Sequence, residues 1–452
     1  MKKLRVLPVA LIACVMLLAL GGGGLAAGGN QAAQPAKSDK VVLNIASTWV
    51  PADAEGWGKL VLDTIDKFKA KYPNVTVNND SSSHEDYENV RMKLMATTNT
   101  FPTMFMLLNS LIPAFAQQGM LMNWDATLNA DQNWKNSFLN IWDEAKYKDS
   151  VYGIPYQFIV NQLMFYNKDM LASVGYNSFP VYWDDFLTLC QKLKDKGLIP
   201  IAMGDQDAWP IPSHFAEILA EYCCGPDWVK GNAQLQAKYG FDNPDFLKAV
   251  KMIEELVKRG FFNNDIASIG HGTEDVAYLY TEKAAIHPNG PWQIGGIVND
   301  CPPAVLAKID VAPFPAPRDA KSNVKTGLFT GGSGWEYCCN TKSTDAEYQA
   351  AINLIKMLTG AEYSARFTEL GSIPVIKAEY VGTYDQSRVP DLTKKFMALL
   401  AKCPEFPPMN QQRTDPTVAD VFYKKFQELV AGMSTAEQVV ADIQAAYARV
   451  AK

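Results

Sequence analysis

One stretch, residues 151–204, constrains the fold more than any other part of this 452-residue chain. It contains an extended segment, a helix and a second extended segment in one short run. Its first portion is an apolar run over residues 158–165 that Asn161 and Gln162 interrupt. This pattern predicts a buried strand that still needs polar groups at one place.

The second half of that stretch predicts a helix and then a strand. From Trp183 onward, apolar residues recur at spacings of three and four, so Trp183 should lie on the buried stripe of a helix that Gly197 can end. Residues 198–203 predict the next strand. Strands that alternate with helices are typical of an α/β fold.

Short motifs in a fixed order make this stretch resemble a known family. The motifs are YGIPY at 152–156, YNKD at 166–169, WDDF at 183–186 and PIA at 200–202, with Gly175 and Pro180 between them. They resemble the extracellular solute-binding proteins of bacterial ABC importers, in particular the sugar-binding group that includes maltose-binding protein. NGPW at 289–292 and ELGSIPV at 369–375 extend the resemblance over nearly the whole chain after the leader.

The resemblance implies an α/β, two-lobe periplasmic-binding-protein fold of type II, with a ligand cleft between the lobes and three interlobe crossings. The second crossing is expected at residues 309–315 and the third at 369–375. The implied lobes are residues 40–155 plus 310–372 for lobe 1 and residues 156–309 plus 373–452 for lobe 2.

The resemblance also implies a function without catalysis or a cofactor. Such a protein captures a sugar, here an oligosaccharide, by hinge closure and delivers it to the membrane permease subunits of an ABC importer. A monomer is expected. The formal net charge of −6 and the absence of a basic arm in the sequence give no reason to expect nucleic acid as a partner.

The N-terminus predicts export. Lys2, Lys3 and Arg5 precede an apolar run over residues 6–20, which is the pattern of a secretory leader. That run is shorter than the roughly 20 residues that a membrane-spanning helix needs.

The place of leader cleavage stays open between two alternatives. A signal peptidase can cut after Ala26 or Ala27, which gives a signal peptide over 1–27 and a flexible linker over 28–39. Alternatively, Cys14 is lipidated, and the protein is then anchored to the membrane at the cell surface; otherwise it is secreted or periplasmic.

Cysteine and histidine spacing predicts no metal site. The histidines His84, His214, His271 and His287 are far apart in the sequence. Seven cysteines follow the leader without C-x-x-C spacing, and most are expected to be small buried side chains: Cys190, Cys223, Cys224, Cys301, Cys338, Cys339 and Cys403.

Capping residues predict where three further helices begin. Asn243 and Pro244 should open one, Thr344 with Glu347 a second, and Ser434 with Glu437 the C-terminal helix. An earlier strand, helix and strand over residues 41–77 predict a βαβ unit.

A sugar site needs aromatic planes with hydrogen-bonding side chains around them. Trp292, after Gly-Pro, is the first candidate, and Trp335, in a glycine-rich loop, is the second. The remaining candidates lie at predicted strand ends, loops or crossings: Trp49, Trp209, Tyr156, Asn109, Asn161, Glu85 and Asp205. A solvated loop position is the competing interpretation for the four polar ones.

Two other functions remain alternatives. A binding protein for a charged solute would use clustered arginines for a phosphate ester, or acidic residues beside aromatics for a polyamine. A secreted glycoside hydrolase would need two carboxylates roughly 5–10 Å apart, and no pair of carboxylates in the sequence stands out.

Overall fold

The computed structural model of the chain describes residues 40–49, 56–407 and 415–452. The proposed leader, the linker, Cys14, Ala26 and Ala27 therefore lie outside the described residues. Among the helices that are described, none has both the length and the apolar character needed to cross a membrane.

Two sheets, each with its own buried core, divide the described chain into two lobes. The sheet of the first lobe has five strands in the spatial order Val75–Ser81, Val41–Ser47, Met104–Leu108, Trp335–Cys339 and Ile154–Pro155. The first three are parallel, and Trp335–Cys339 runs antiparallel to both of its neighbours. The predicted βαβ unit is therefore confirmed.

The sheet of the second lobe has four strands in the order Ile309–Pro313, Leu163–Asn167, Ala284–Asn289 and Ile199–Ile201. Every residue of the central strand Leu163–Asn167 is buried, since it has a strand on either side and helices over its faces. The predicted α/β fold is confirmed in both lobes.

Helices cover both sheets. Those that contribute to the first core are Gly56–Lys71, Met92–Thr98, Ile112–Gln117, Asp125–Ala130, Gln132–Ser137, Asp345–Leu358 and Ala361–Glu369. Those of the second core are Lys168–Ala172, Trp183–Asp195, Glu217–Cys224, Pro226–Ala233, Pro244–Lys258, Val276–Tyr280, Gln293–Asp300, Pro303–Leu306, Asp391–Leu400, Pro416–Val430 and Ala436–Tyr447.

The polar interruption in the middle of the chain marks the connection between the lobes. Gln162 has a positive φ of 67°, which breaks the apolar run into the strands Ile159–Val160 and Leu163–Asn167. Ile159–Val160 pairs with Gly331–Gly332, so the outgoing and returning chains lie side by side. The expected single strand is thus two strands with different neighbours.

The chain returns to the first lobe later than predicted. Ile309–Pro313 pairs antiparallel with Leu163–Asn167, and Phe314 and Phe329 are buried in the second core. The prediction that 310–372 belongs to lobe 1 is therefore wrong for residues 310–329. The strand Ile309–Pro313 stays in the second lobe because its pairing covers an edge of the strand Leu163–Asn167. The chain returns to the first lobe at Gly331–Gly332.

The lobe boundary at residue 373 also differs from the prediction. Ile373 is buried in the second core, but Val375 and Ile376 are buried in the first. Ile376 forms a β-bridge with Phe138, which is buried in the first core, and this ties the segment to the first lobe. Leu392 and the helices after it belong to the second core.

Local patterns predicted the helices well. The central helix spans Trp183–Asp195, its Trp183 is buried against Phe314, and Gly197 has a φ of +82° just beyond its end. Asn243 caps Pro244–Lys258, and Thr344 forms the expected capping box. The box at the C-terminal helix is one residue later than predicted, on Thr435 with Gln438, because Thr435 has the extended backbone of an N-cap and its side chain accepts the N–H of Gln438.

The seven cysteines after the leader have free thiols. Six are buried, and Cys224 is partly exposed. The expectation that most serve as small buried side chains is confirmed.

Candidate functional site

Trp292 links the two lobes. It follows the strand Ala284–Asn289 of the second sheet, yet its half-buried side chain packs against the core of the first lobe. Gly290 allows this, because a Cβ there would lie 2.0 Å from the Trp292 ring. Trp292 therefore lies at the boundary between the lobes, and its part in ligand binding stays a prediction.

A group of rings on the second lobe surrounds Trp292. The ring centroid of Trp209 lies 6.4 Å from that of Trp292, and the His214 ring lies 6.0 Å from it. Trp209 also contacts His214 and His271 edge to face, at 5.5 and 5.2 Å. The structure thus brings together two of the predicted tryptophans and two histidines that the sequence did not connect with them.

A second group of rings lies on the first lobe. Trp49 contacts Tyr156 at 6.4 Å and Tyr337 at 5.6 Å between centroids, and Tyr156 and Tyr337 are 5.3 Å apart. Tyr156 is half-buried, whereas Trp49 is 7% exposed. Tyr337 was not predicted, because it lies within a strand and gave no local signal of a site.

Trp335 and Asn109 are neighbours through strand pairing. Leu108 pairs with Trp335, and the backbone N–H of Asn109 donates to Gly334 at 3.0 Å. Trp335 is only 3% exposed and contacts the rings of His84 and Tyr87 at 5.1 and 6.2 Å. Trp335 therefore belongs to the first core and also lies beside Asn109.

The carboxylate of Glu144 organises the returning chain next to Asn109. Its Oε2 accepts hydrogen bonds from the backbone N–H groups of Ser333 and Gly334, at 2.6 and 3.3 Å, and from Nδ2 of Asn109 at 3.0 Å. Gly332 is required here, since a Cβ would lie 1.9 Å from Oε1 of Glu144. This contact joins three segments distant in the sequence.

Asn161 and Gln162, at the connection between the lobes, make hydrogen bonds within the protein. Nδ2 of Asn161 donates to Glu217 at 3.3 Å, and its backbone N–H donates to Thr330. Nε2 of Gln162 donates to the carbonyl of Ser213 at 2.6 Å. Asn161 is buried, so its part in ligand binding stays a prediction beside this structural role.

Asp205 is fully buried, and its Oδ1 accepts the backbone N–H of Ile211 at 3.0 Å. Burial holds the pKa of Asp205 well above its usual range. Its Oδ2 has no hydrogen-bond partner among the described residues, and neither has Oδ1 of Asn109. Both atoms remain candidates for a ligand hydroxyl, whereas the side chain of Glu85 lies outside what the structure describes.

Three of the four histidines, which are far apart in the sequence, lie close together in space. Nε2 of His271 lies 3.1 Å from Nε2 of His214, and the rings of His271 and His287 are 5.4 Å apart. Nδ1 of His271 lies 2.7 Å from Oδ2 of Asp275. The strand at His287 and the loops at His214 and His271 bring these residues together, and spacing along the chain carries no signal of this.

The charges of this cluster follow from burial and its neighbours. Burial works to raise the pKa of Asp275, but the His287 and His271 rings and the N–H of Gly204 outweigh it and lower that pKa. Burial, with the two neighbouring histidines, holds the pKa of His214 well below its usual range. The His214 ring beside Trp209 and Trp292 is therefore a neutral imidazole.

The fold and these motifs agree with a family assignment. The family model for bacterial extracellular solute-binding proteins matches residues 50–365. The chain belongs to this family.

Individual relatives are distant. An uncharacterized ABC transporter extracellular-binding protein of Pyrococcus horikoshii is 23% identical over 303 residues, which cover 65% of this chain and 66% of that protein. The multiple sugar-binding protein of Streptococcus mutans is 24% identical over 53% of this chain and 54% of its own length. The sn-glycerol-3-phosphate-binding periplasmic protein UgpB of Escherichia coli is 24% identical over 50% of this chain and 49% of its own length. The chain thus spans less than two thirds of the length of each of these relatives.

Solved structures match over more of the chain. A chitin oligosaccharide binding protein superposes with a TM-score of 0.82 at 24% identity, covering 91% of this chain and 99% of that one. Maltose-bound MalE3 of T. maritima has a TM-score of 0.69 at 18% identity, again over 91% of this chain and 100% of the other. This similarity establishes the two-lobe fold.

Proposed function

We propose that this protein is the sugar-capturing component of an ABC importer and that its ligand is an oligosaccharide. One observation carries the proposal: Trp292 follows a strand of the second lobe while its indole packs on the first. The Trp209 ring lies 6.4 Å from it on the second lobe, and Trp49 with Tyr156 forms a separate ring group on the first lobe. Such faces match the C–H faces of sugar rings.

Two buried polar atoms of the predicted set suit hydroxyl groups. Oδ1 of Asn109 and Oδ2 of Asp205 are buried without a partner among the described residues. An unpaired buried polar atom costs about 1–3 kcal/mol, which a ligand hydroxyl would recover. Glu85 and Asn161 complete the proposed set, and Trp335 supports Asn109 from the neighbouring strand.

The mechanism we propose is rotation of the lobes about three crossings, which buries the sugar and presents the closed form to the permease. The paired strands Ile159–Val160 and Gly331–Gly332 supply two of the three crossings, and residues 369–376 the third. Lobe 1 would then comprise residues 40–155 and 335–372 with 375–381, and lobe 2 most of the rest. We further propose that the protein is exported, acts as a monomer and catalyses no reaction.

A phosphate ester is the second candidate, because one relative is a glycerol-3-phosphate-binding protein. The His214 ring beside Trp209 and Trp292 argues for the sugar instead: burial holds the pKa of this imidazole low, so the ring is neutral, and a phosphate is usually held by cationic side chains.

Tryptophan fluorescence and thermal melting against mono- and oligosaccharides, sn-glycerol 3-phosphate and a polyamine test the proposal. One oligosaccharide should shift both signals and be recovered intact. Trp292→Ala should weaken its binding at least tenfold, because it removes the ring that both lobes share. Trp142→Ala is the matched control, since that half-buried ring packs on Phe138 within the first lobe.

Three results would contradict the proposal. A cleaved sugar indicates a hydrolase, and a response to the phosphate or polyamine alone indicates a charged solute. Equal losses in Trp292→Ala and Trp142→Ala would place the site elsewhere.

A further inference from the structure

Three histidines and one aspartate form a buried cluster on the second lobe that the proposed sugar site does not use directly. One potential ligand atom from each of His271, Asp275 and His287 lies within 4.8 Å of the others. His214 adds a fourth side chain through its 3.1 Å contact with His271. The side chains of His271 and Asp275 are 2% and 0% exposed, and His214 and His287 are fully buried.

Hydrogen bonds determine which nitrogen atoms carry protons. The Asp275 carboxylate accepts the backbone N–H groups of Gly204 and Gly272, each at 2.7 Å, and is therefore fixed as an acceptor. Nδ1 of His271 donates to it, so in the neutral tautomer the lone pair is on Nε2 of His271. That lone pair points toward Nε2 of His214.

His287 is already satisfied within the protein. Its Nδ1 lies 3.3 Å from the carbonyl oxygen of Ala202, and its Nε2 lies 3.1 Å from Nδ2 of Asn289. An N–H donated to the carbonyl and a lone pair facing the amide match a single neutral tautomer. His287 therefore has no nitrogen left for another partner, in contrast to His214 and His271.

We infer that Nε2 of His214 and Nε2 of His271 form a site for a divalent transition-metal ion of the zinc, nickel or copper class. Two imidazole nitrogens bound tetrahedrally at about 2.0–2.1 Å from one zinc ion lie about 3.4 Å apart. The observed separation of 3.1 Å is within a few tenths of an ångström of this value, and a turn of the two rings would direct both lone pairs to one ion. Imidazole ligands favour these ions over calcium or magnesium, which prefer oxygen.

Asp275 would act as the outer carboxylate of this site. A metal-bound histidine usually donates its other ring N–H to a carboxylate, and the 2.7 Å contact between His271 and Asp275 has this geometry before any ion is bound. Asp275 therefore fixes the orientation of the His271 ring before an ion binds.

A bound ion would displace the proton between the two Nε2 atoms, and Nδ1 of His214 can accept it. In the metal-free protein, Nε2–H of His214 donates to His271, and Nδ1 of His214 is a buried lone pair without a partner among the described residues. When a metal ion takes Nε2, this proton can move to Nδ1 without breaking another hydrogen bond. The ion then replaces one N–H···N contact and needs no other co-reactant.

Trp209 provides a direct readout, because its ring lies 5.5 and 5.2 Å from the two imidazoles. The full chain, stripped with a chelator, should bind one Zn²⁺ or Ni²⁺ by calorimetry at neutral pH. Cu²⁺ should quench part of the tryptophan fluorescence, and its electron paramagnetic resonance spectrum should show two imidazole nitrogens. These measurements belong in a Cys224→Ser background, since that thiol is partly exposed.

Matched variants locate the ion. His214→Gln and His271→Gln should each weaken binding at least tenfold, and Asp275→Asn should weaken it about 10–100-fold. His84→Gln is the control, because this half-exposed histidine lies on the first lobe and should leave binding unchanged. Circular dichroism and the melting temperature verify that each variant is folded.

The inference is overturned if the stripped protein binds no ion, or if His84→Gln loses as much affinity as His271→Gln. It is also overturned if the copper spectrum shows one nitrogen or none. Sugar binding is measured separately on the same samples, so failure of the metal site leaves the proposed sugar site untouched.

Discussion

Glu144 should stabilise the returning chain far more than an ordinary surface carboxylate does. Replacing it with alanine leaves three buried N–H donors without their acceptor, those of Ser333, Gly334 and the Asn109 amide, whereas the Ser333 hydroxyl keeps its contact with Glu336. Each such group costs about 1–3 kcal/mol. Because water can enter the vacated space and satisfy some of them, we expect Glu144→Ala to lower the free energy of unfolding by at least about 3 kcal/mol.

The size of the loss should depend on whether an acceptor oxygen remains. Glu144→Gln keeps one oxygen that can face all three donors, but it removes the charge and replaces the other oxygen with an NH2 group. Hydrogen bonds to an ionised acceptor are roughly twice as strong as neutral ones, so the expected loss is smaller, about 1–2 kcal/mol. Urea denaturation of the full chain, followed by circular dichroism at neutral pH, measures both variants.

An exposed carboxylate provides the control. Glu362 pairs with Lys67, but its side chain is 77% exposed, so Glu362→Ala should change stability by less than about 1 kcal/mol. The reasoning is refuted if Glu144→Ala costs no more than this control. It is equally refuted if Glu144→Gln costs as much as Glu144→Ala, because the acceptor oxygen would then contribute nothing.

Three further predictions concern stability. Gly332→Ala should cost about 1–3 kcal/mol in thermal melts, because its Cβ would overlap Glu144; an unchanged melting temperature contradicts this. Thr435→Ala should cost about 1 kcal/mol and Ser434→Ala almost none, since Thr435 is the cap; equal urea midpoints would count against that assignment. Burial, aided by Glu405, raises the pKa of Glu221 from 4.5 to about 7. The free energy of unfolding is therefore highest below pH 4.5, where this carboxyl is protonated in both the folded and the unfolded chain, and it falls as the pH rises to about 7. Glu221→Gln should remove this loss of about 3 kcal/mol, as seen by comparing urea midpoints at pH 5 and pH 8 for both proteins.

The candidate site could be predicted only in part. Gly-Pro-Trp pointed to Trp292, and strand ends pointed to Trp49 and Trp209, because these signals lie within a few residues of the side chain concerned. The sequence did not predict that Trp292 reaches the other lobe, nor that Tyr337 joins the first group of rings. Those contacts depend on how the lobes pack.

By itself, the sequence determined the local elements: the helix from Trp183, the cap at Thr344, the turn at Gly197 and the α/β alternation. Each depends on periodicity or hydrogen bonds within one or two helical turns. Only the tertiary structure decided that Ile309–Pro313 stays in the second lobe. In its pairing with Leu163–Asn167, Ile309 lies opposite Asn167, which is 142 residues earlier in the chain. The same holds for the pairing of His214 with His271, 57 residues apart, and of Glu144 with Ser333, 189 residues apart. Contacts at such separations are selected by packing in three dimensions, and residue spacing along the chain does not encode them.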